Sequence, residues 1–193
     1  MRGIGWLLSC SALLAACATT PRTPAIPAAA WQERVGALQT LSAWQLDGRA
    51  AGAVGTQGWQ ATLNWRERGD DAEVHLAGPL GVGALVLKRT AEGLSLNGAP
   101  PSEDVVMQLQ ARLGFELPLD HLRFWLLGAP DPGVPFELNR NGEDRASHLT
   151  QEGWTIDYDR YMPAAGDVLP ALLVLSREGV RVRIAIDHWN LQQ

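Results

Sequence analysis

Residues 59–66 read Trp-Gln-Ala-Thr-Leu-Asn-Trp-Arg, so apolar and polar side chains alternate without a break. This period of two is typical of a β-strand with one buried face and one face in water. The same alternation occurs over 44–50 and again over 72–76, and glycine-rich joints separate the three runs. The pattern predicts a meander of antiparallel strands.

Outward from this meander, the same reasoning predicts about ten strands and three short helices in one domain, residues 31–193. The further strands are expected near 83–89, 93–97, 135–140, 146–151, 154–161, 169–176 and 180–189. Helical spacing predicts helices over 31–42, from the Ser102 cap to Gly114, and from Pro118 to Gly128. A sheet of this size is expected to curve strongly or form a barrel, with the helices on its open side. Such an interior suits a lipid-like ligand, although the pattern leaves open whether it is empty or packed.

Composition excludes several classes of protein. The chain has 193 residues, 46% of them hydrophobic, which is enough for one domain with its own core. Sixteen basic residues against 21 acidic ones give a net charge of −5, so nucleic-acid binding is disfavoured. The only cysteines are residues 10 and 17, and no later segment has the apolar length of a membrane span. We expect a monomer.

The N-terminus has the pattern of a targeting segment. Residues 1–16 carry one positive charge, Arg2, ahead of a short apolar run, as in a signal peptide. The run ends in Leu-Ala-Ala-Cys17, which resembles the bacterial lipobox, whose cysteine is acylated; the alternative is an ordinary signal peptide with an incidental cysteine. Ala18, in place of the aspartate of inner-membrane retention, favours the outer membrane. Residues 17–30 are then the lipidated N-terminus and a proline-rich, extended linker.

The sequence contains little that is typical of catalysis. There is no Gly-x-Ser-x-Gly motif, and the four histidines show no metal-ligand spacing. The carboxylate pairs fall in turns or at a helix start, where capping explains them. We therefore expect no enzymatic activity, no metal and no cofactor other than lipid. The histidines are His75, His121, His148 and His188.

One apolar residue lies in an unusual place. Leu80 is framed by glycine and proline in the loop Gly78-Pro79-Leu80-Gly81, which must join two strands because Pro79 has no amide donor. A leucine at such a tip either folds back into the core or points outward. On a tethered protein, the outward orientation would let it enter lipid.

Several motifs occur in an order that resembles the LolB family of outer-membrane lipoprotein receptors. They are Trp44-x-Leu-x-Gly48-Arg49, the 78–81 loop, Pro118-Leu119-x-x-Leu122-x-x-Trp125-Leu126-Leu127-Gly128, Gln151-x-Gly153-Trp154-x-Ile156-x-Tyr158-x-x-Tyr161 and the closing segment to Trp189. The resemblance implies an incompletely closed antiparallel β-barrel, mainly β, with a few short helices that form a lid over an apolar cavity. It also implies that Pro79, Leu80 and Gly81 form a membrane-insertion loop.

The resemblance carries expectations about partners and place. Such proteins are anchored in the outer membrane, face the periplasm, accept acylated cargo lipoproteins from the periplasmic carrier LolA and insert them among outer-membrane lipids. We expect a lipid on Cys17, with Trp44, Trp65 and Trp125 lining the acyl-chain cavity; ordinary core packing is the alternative for these tryptophans. A generic lipid-binding or assembly-factor lipoprotein of similar architecture is the alternative function, and an anchored hydrolase is a third.

Overall fold

A computed structural model describes residues 28–102 and 104–191 of the chain, which form ten strands and three α-helices. In chain order the elements are α1 (Ala28–Thr40), β1 (Ala43–Val54), β2 (Gln57–Arg68), β3 (Asp71–Ala77), β4 (Leu85–Thr90), β5 (Gly93–Leu96), α2 (Asp104–Leu113), α3 (Leu119–Leu126), β6 (Phe136–Arg140), β7 (Ala146–Gln151), β8 (Trp154–Ala164), β9 (Asp167–Arg177) and β10 (Val180–Leu191). The predicted signal peptide and the lipidation residue Cys17 lie outside the described residues.

All ten strands belong to one antiparallel sheet, in the order β5-β4-β3-β2-β1-β10-β9-β8-β7-β6. Every neighbour in this order is next in sequence except one pair, because β10 returns to lie beside β1. The two edge strands, β5 and β6, do not pair, so the barrel stays open. The predicted fold class, an incompletely closed antiparallel barrel with a few helices, is therefore confirmed.

The alternation in sequence becomes an inner and an outer face of this sheet. Trp44 and Leu46 of β1 and Leu63 and Trp65 of β2 point into one continuous apolar core, and their polar neighbours point outward. Burial of such side chains is worth about 1.5–3 kcal/mol each, so the pattern selects which face turns inward. This confirms the period-two reasoning.

Glycine at position 48 is required by a close approach of two strands. The register between β1 and β10 shifts between Asp47 and Gly48, and a Cβ on Gly48 would lie 2.3 Å from the carbonyl oxygen of Ala185. No side chain fits there. The close approach of the two strands is a physical reason for the glycine in the motif at 44–49.

Some predicted boundaries are wrong, for identifiable reasons. Helix α1 begins at Ala28 rather than at residue 31, so 28–30, assigned to an extended linker, are helical. Three consecutive alanines favour helix, and a proline just before a helix does not oppose it. The joint expected over 52–58 shrinks to a turn at 55–56, because β1 and β2 pair through Gly52 and Trp59. None of the described helices has the length and apolarity needed to cross a membrane.

Candidate functional site

An apolar cavity of about 430 Å³ lies on the inner face of the sheet, at one end of the barrel. Its wall combines the start of β2, the end of β3, the start of β4 and the C-terminal end of α2. The apolar lining residues are Trp59, Ala61, Leu76, Val82, Leu85 and Leu113. The volume falls in the range of about 300–1,000 Å³ that is usual for small-molecule pockets.

The cavity wall depends on a glycine opposite a tryptophan. Gly52 and Trp59 are directly paired across β1 and β2, and a Cβ on Gly52 would lie 2.4 Å from the Trp59 ring. Since Gly52 has no side chain, the indole lies over the backbone of the neighbouring strand. The ring therefore closes this end of the barrel on the β1 side and leaves space beside Ala61.

Helix α2 packs on the barrel through a narrow apolar stripe, and its C-terminal residues Arg112 and Leu113 border the cavity. Val105, Leu109 and Leu113 recur at spacing four and are buried, whereas Val106 and Met107 on the other side of the helix are exposed. The helix ends at Gly114, whose φ of +83° is typical of a glycine that terminates a helix. The C-terminal end of this helix therefore lies at the cavity, where the family resemblance implies a lid.

Helix α3 is fastened much more firmly than α2. At the end of β2 remote from the cavity, Glu67 is fully buried and pairs with Arg89 of β4 and, at 3.2 Å, with Arg123 of α3. Its other oxygen accepts a hydrogen bond from the Trp65 Nε1, at 2.8 Å. A buried carboxyl group with three donors ties the helix to the inner face of two strands.

The C-terminal end of α3 is held by a second polar network. Trp125 Nε1 donates to Gln151 Oε1 at 2.8 Å, and Tyr158 Oη donates to the carbonyl oxygen of Trp125 at 3.0 Å. Burial, and then the nearby Tyr161, raise the pKa of Tyr158 well above its ordinary value. The hydroxyl group therefore stays protonated and can keep donating.

The three tryptophans expected to line the cavity lie in packed core instead. Trp44 stacks on Trp65 at 6.0 Å, and Trp125 lies 6.4 Å from Trp154. Each is at most 1% exposed, and none borders the 430 Å³ cavity. Trp65 borders a void of about 10 Å³. In this conformation the three tryptophans therefore have the alternative role considered from the sequence, which is packing in the core.

Sequence reasoning missed Trp59 and Leu113 as cavity residues. Trp59 and Trp65 lie in the same phase of one strand, so periodicity alone does not distinguish the wall of a cavity from the core. The available signal was the glycine at 52, which leaves space where a cross-strand side chain would otherwise pack. Leu113 was readable as the last apolar residue before the helix-ending glycine.

The loop at residues 78–83 holds Leu80 outward. Backbone hydrogen bonds close the loop, from Gly81 N to the Gly78 oxygen at 2.9 Å and from Gly78 N to the Val82 oxygen at 3.1 Å. Leu80 has a φ of +58°, which is unfavourable for a residue with a Cβ, and its side chain is fully exposed. Of the two orientations considered for this leucine, the structure has the outward one. Strain that presents an apolar group to solvent points to a function at that group.

The described part of the chain contains no cluster of three or more histidine, cysteine, aspartate or glutamate residues that could hold a metal ion. His75, His121 and His148 each contact one carboxyl group, of Glu73, Asp131 and Asp157 respectively. Each of these pairs lies outside both the cavity and the Leu80 loop.

The fold of this chain is similar to that of two solved structures. A LolA-superfamily protein from Nitrosomonas europaea superposes with a TM-score of 0.55 at 9% identity, covering 88% of this chain and 95% of that one. A DUF1329-family protein from Desulfovibrio piger gives a TM-score of 0.54, also at 9% identity, with 84% and 91% covered. At this identity the likeness shows the fold alone.

Sequence comparison shows the family. The protein-family model described as "Outer membrane lipoprotein LolB" matches residues 42–189 of this chain. The outer-membrane lipoprotein LolB of Nitrosococcus oceani is 37% identical over 187 residues, 93% of this chain and 92% of that protein. That of Pseudomonas aeruginosa is 32% identical over 193 residues, 96% and 94% of the two chains. The chain belongs to the LolB family. It is an outer-membrane lipoprotein that acts in lipoprotein localisation.

Proposed function

We propose that this protein receives acylated lipoproteins from a LolA-like periplasmic carrier in its inner cavity and inserts them into the outer membrane. The observation that carries the proposal is the combination of an apolar cavity under a lid with a fully exposed leucine on the adjoining loop. The loop residues Gly78, Val82 and Gly83 border the cavity, so one structural element contacts both places. Membership of the LolB family supports the same assignment.

The physical basis of capture is apolar burial. Each methylene group moved out of water contributes about 0.8 kcal/mol, so an acyl chain has a strong preference for the cavity over solvent. Transfer between two apolar cavities needs no nucleotide or other cofactor if the receptor binds the chain more tightly than the carrier does. The lining of Trp59, Leu76 and Leu85 is non-directional, which suits cargo proteins that share only their lipid.

Helix α2 is the movable part of the lid in this proposal. It is held to the barrel through its apolar stripe, whereas α3 is additionally held by the buried Glu67 network. Displacement of α2 would enlarge the cavity from the Leu113 side. The predicted contact of acyl chains with Trp44, Trp65 and Trp125 stays a prediction for such an opened state.

Filling the cavity should block capture. Ala61→Phe adds a ring beside Trp59 and removes space for several methylene groups, so cargo capture from a loaded carrier should fall at least about tenfold. The measurement is the fraction of acylated cargo that moves from carrier to receptor. Ala53→Phe is the matched control, because Ala53 is exposed and borders neither the inner cavity nor the groove at the Leu80 loop. Equal capture by the two variants would contradict the cavity assignment.

The anchor should depend on Cys17. We expect a chain whose residues 1–17 are replaced by a signal peptide cleaved just before Ala18 to move almost completely from the membrane fraction to the soluble periplasmic fraction. The reason is that acyl chains, each with many methylenes at about 0.8 kcal/mol, hold the mature protein to the bilayer. Fractionation and mass analysis of the native N-terminus provide the measurement. Persistent membrane association of the replaced chain would contradict the lipid anchor.

A further inference from the structure

A groove of about 650 Å³ lies on the outer face of the sheet. It shares Gln60, Ala61 and Gly78 with the inner cavity, but its arginine side chains lie on the other side of the sheet. Its floor is made of small side chains, among them Ala51, Ala77 and Ala185. Three exposed arginines, Arg49, Arg160 and Arg183, complete the lining together with the loop residues 78–81.

Strand register places the three arginines on one face. Arg49 of β1 pairs with Ala185 of β10, Ala185 pairs with Leu172 of β9, and Leu172 pairs with Arg160 of β8. Arg183 lies two positions from Ala185, on the same face of β10. Neighbouring strands are about 4.8 Å apart, and the small Ala185 leaves room beside it for the long arginine side chains that border the groove.

The charges of this groove are mostly unbalanced. Arg49 forms an exposed ion pair with Asp187 at 2.9 Å. Within the described part of the chain, Arg160 and Arg183 have no acidic partner within 4 Å. Asp157, which is across from Val174 beside Arg183, pairs with His148 at 2.7 Å instead. The groove is thus locally basic on a protein whose net charge is −5.

Leu80 stands at the edge of the same groove, with its side chain fully exposed. An apolar tip beside several guanidinium groups matches the layering of a bilayer surface, where anionic phosphates overlie acyl chains. Arginine binds phosphate through paired N–H donors, which a fixed groove can orient. Because the whole protein is acidic, attraction to an anionic lipid has to come from a local site of this kind.

We propose that the outer groove binds the anionic headgroup of a membrane phospholipid, through Arg160 and Arg183, and so positions Leu80 to enter the acyl layer. This inference rests on the proposed insertion function and names the lipid that the Leu80 loop meets. Arg160 and Arg183 border the groove but not the inner cavity. Their substitution should therefore reduce headgroup binding without reducing cargo capture.

The test measures lipid binding by the full chain in dodecyl maltoside, with native mass spectrometry as the readout. Phosphatidylglycerol and phosphatidylcholine with identical acyl chains are titrated separately, so that their difference removes any binding in the acyl-chain cavity. We expect phosphatidylglycerol to bind about tenfold more tightly, as two near-surface arginines allow. In the variant R160Q/R183Q this preference should disappear. The matched control R68Q/R181Q removes two exposed arginines that do not border the groove, and it should keep the preference.

Three results would overturn the inference. They are an equal affinity of the native chain for both lipids, an equal loss in both double variants, and full displacement of phosphatidylglycerol by inorganic phosphate, which would indicate a free-anion site. Cargo capture by the same variants separates this inference from the proposed function. If R160Q/R183Q captures acylated cargo normally and the native chain shows no headgroup preference, the groove proposal alone is wrong. If the native chain captures no cargo, the proposed function itself fails.

Discussion

The variant Leu80→Glu should capture acylated cargo at close to the native level and deliver it to vesicles about tenfold to a hundredfold less well. Leu80 is fully exposed and points away from the inner cavity, so its replacement leaves the cavity wall intact. Moving a leucine side chain out of water is worth about 1.5–3 kcal/mol, and a tenfold change corresponds to about 1.4 kcal/mol. Moving a carboxylate from water into the acyl layer is unfavourable, so glutamate cannot supply this free energy.

Delivery is measured as the fraction of labelled cargo that sediments with phospholipid vesicles after transfer from the carrier. Phe136→Glu is the matched control, because Phe136 is another exposed apolar residue and lies on the edge strand β6, away from the loop. This control should deliver normally. If Leu80→Glu loses capture as much as delivery, the leucine serves the fold or the cavity and not the membrane step.

The variant Glu67→Ala should lower the free energy of unfolding by about 3–5 kcal/mol. Glu67 is fully buried, and its removal leaves Arg89 and Arg123, which are each less than 20% exposed, without their shared acid. It also leaves the Trp65 N–H without its acceptor. For a domain of ordinary stability this is a large part of the total.

Urea unfolding followed by tryptophan fluorescence provides the measurement, with a lower midpoint at an unchanged slope as the expected result. Asp120→Ala is the control within the same network, because Asp120 contacts Arg89 at 3.0 Å but is 82% exposed. Its loss should cost about 0–1 kcal/mol. Equal effects of the two substitutions would mean that the buried carboxyl group does not hold α3 to the barrel.

The strands were readable from sequence because the open barrel has one apolar and one wet face. In β10 the branched residues Val182, Ile184 and Ile186 all point inward, and Arg183 and Ala185 between them point outward. Such a pattern specifies the register of the strand, since a slip of one residue would expose every apolar side chain of the strand. The helix ends were readable because glycine at 114 and at 128 takes a positive φ that other residues avoid.

The features that were not readable depend on residues far apart in the chain. Periodicity does not reveal that β10 pairs with β1, and hence that Arg49, Arg183 and Arg160 share a groove. Glu67 lies in the inward phase of β2, and only the positions of Arg89 and Arg123 explain its burial. The orientation of Leu80 follows from loop hydrogen bonds and a strained φ, which neither composition nor spacing specifies.

Transfer of cargo from carrier to receptor tests the central claim most directly. Residues 18–193 are mixed with a LolA-like carrier loaded with an acylated lipoprotein, and the cargo bound to each protein is measured. A cargo of the same sequence without acyl chains is the control. We predict that acylated cargo moves to the receptor and that the non-acylated cargo does not. If a folded receptor takes up no acylated cargo, or takes up both forms equally, the apolar cavity does not act as an acyl-chain receptor.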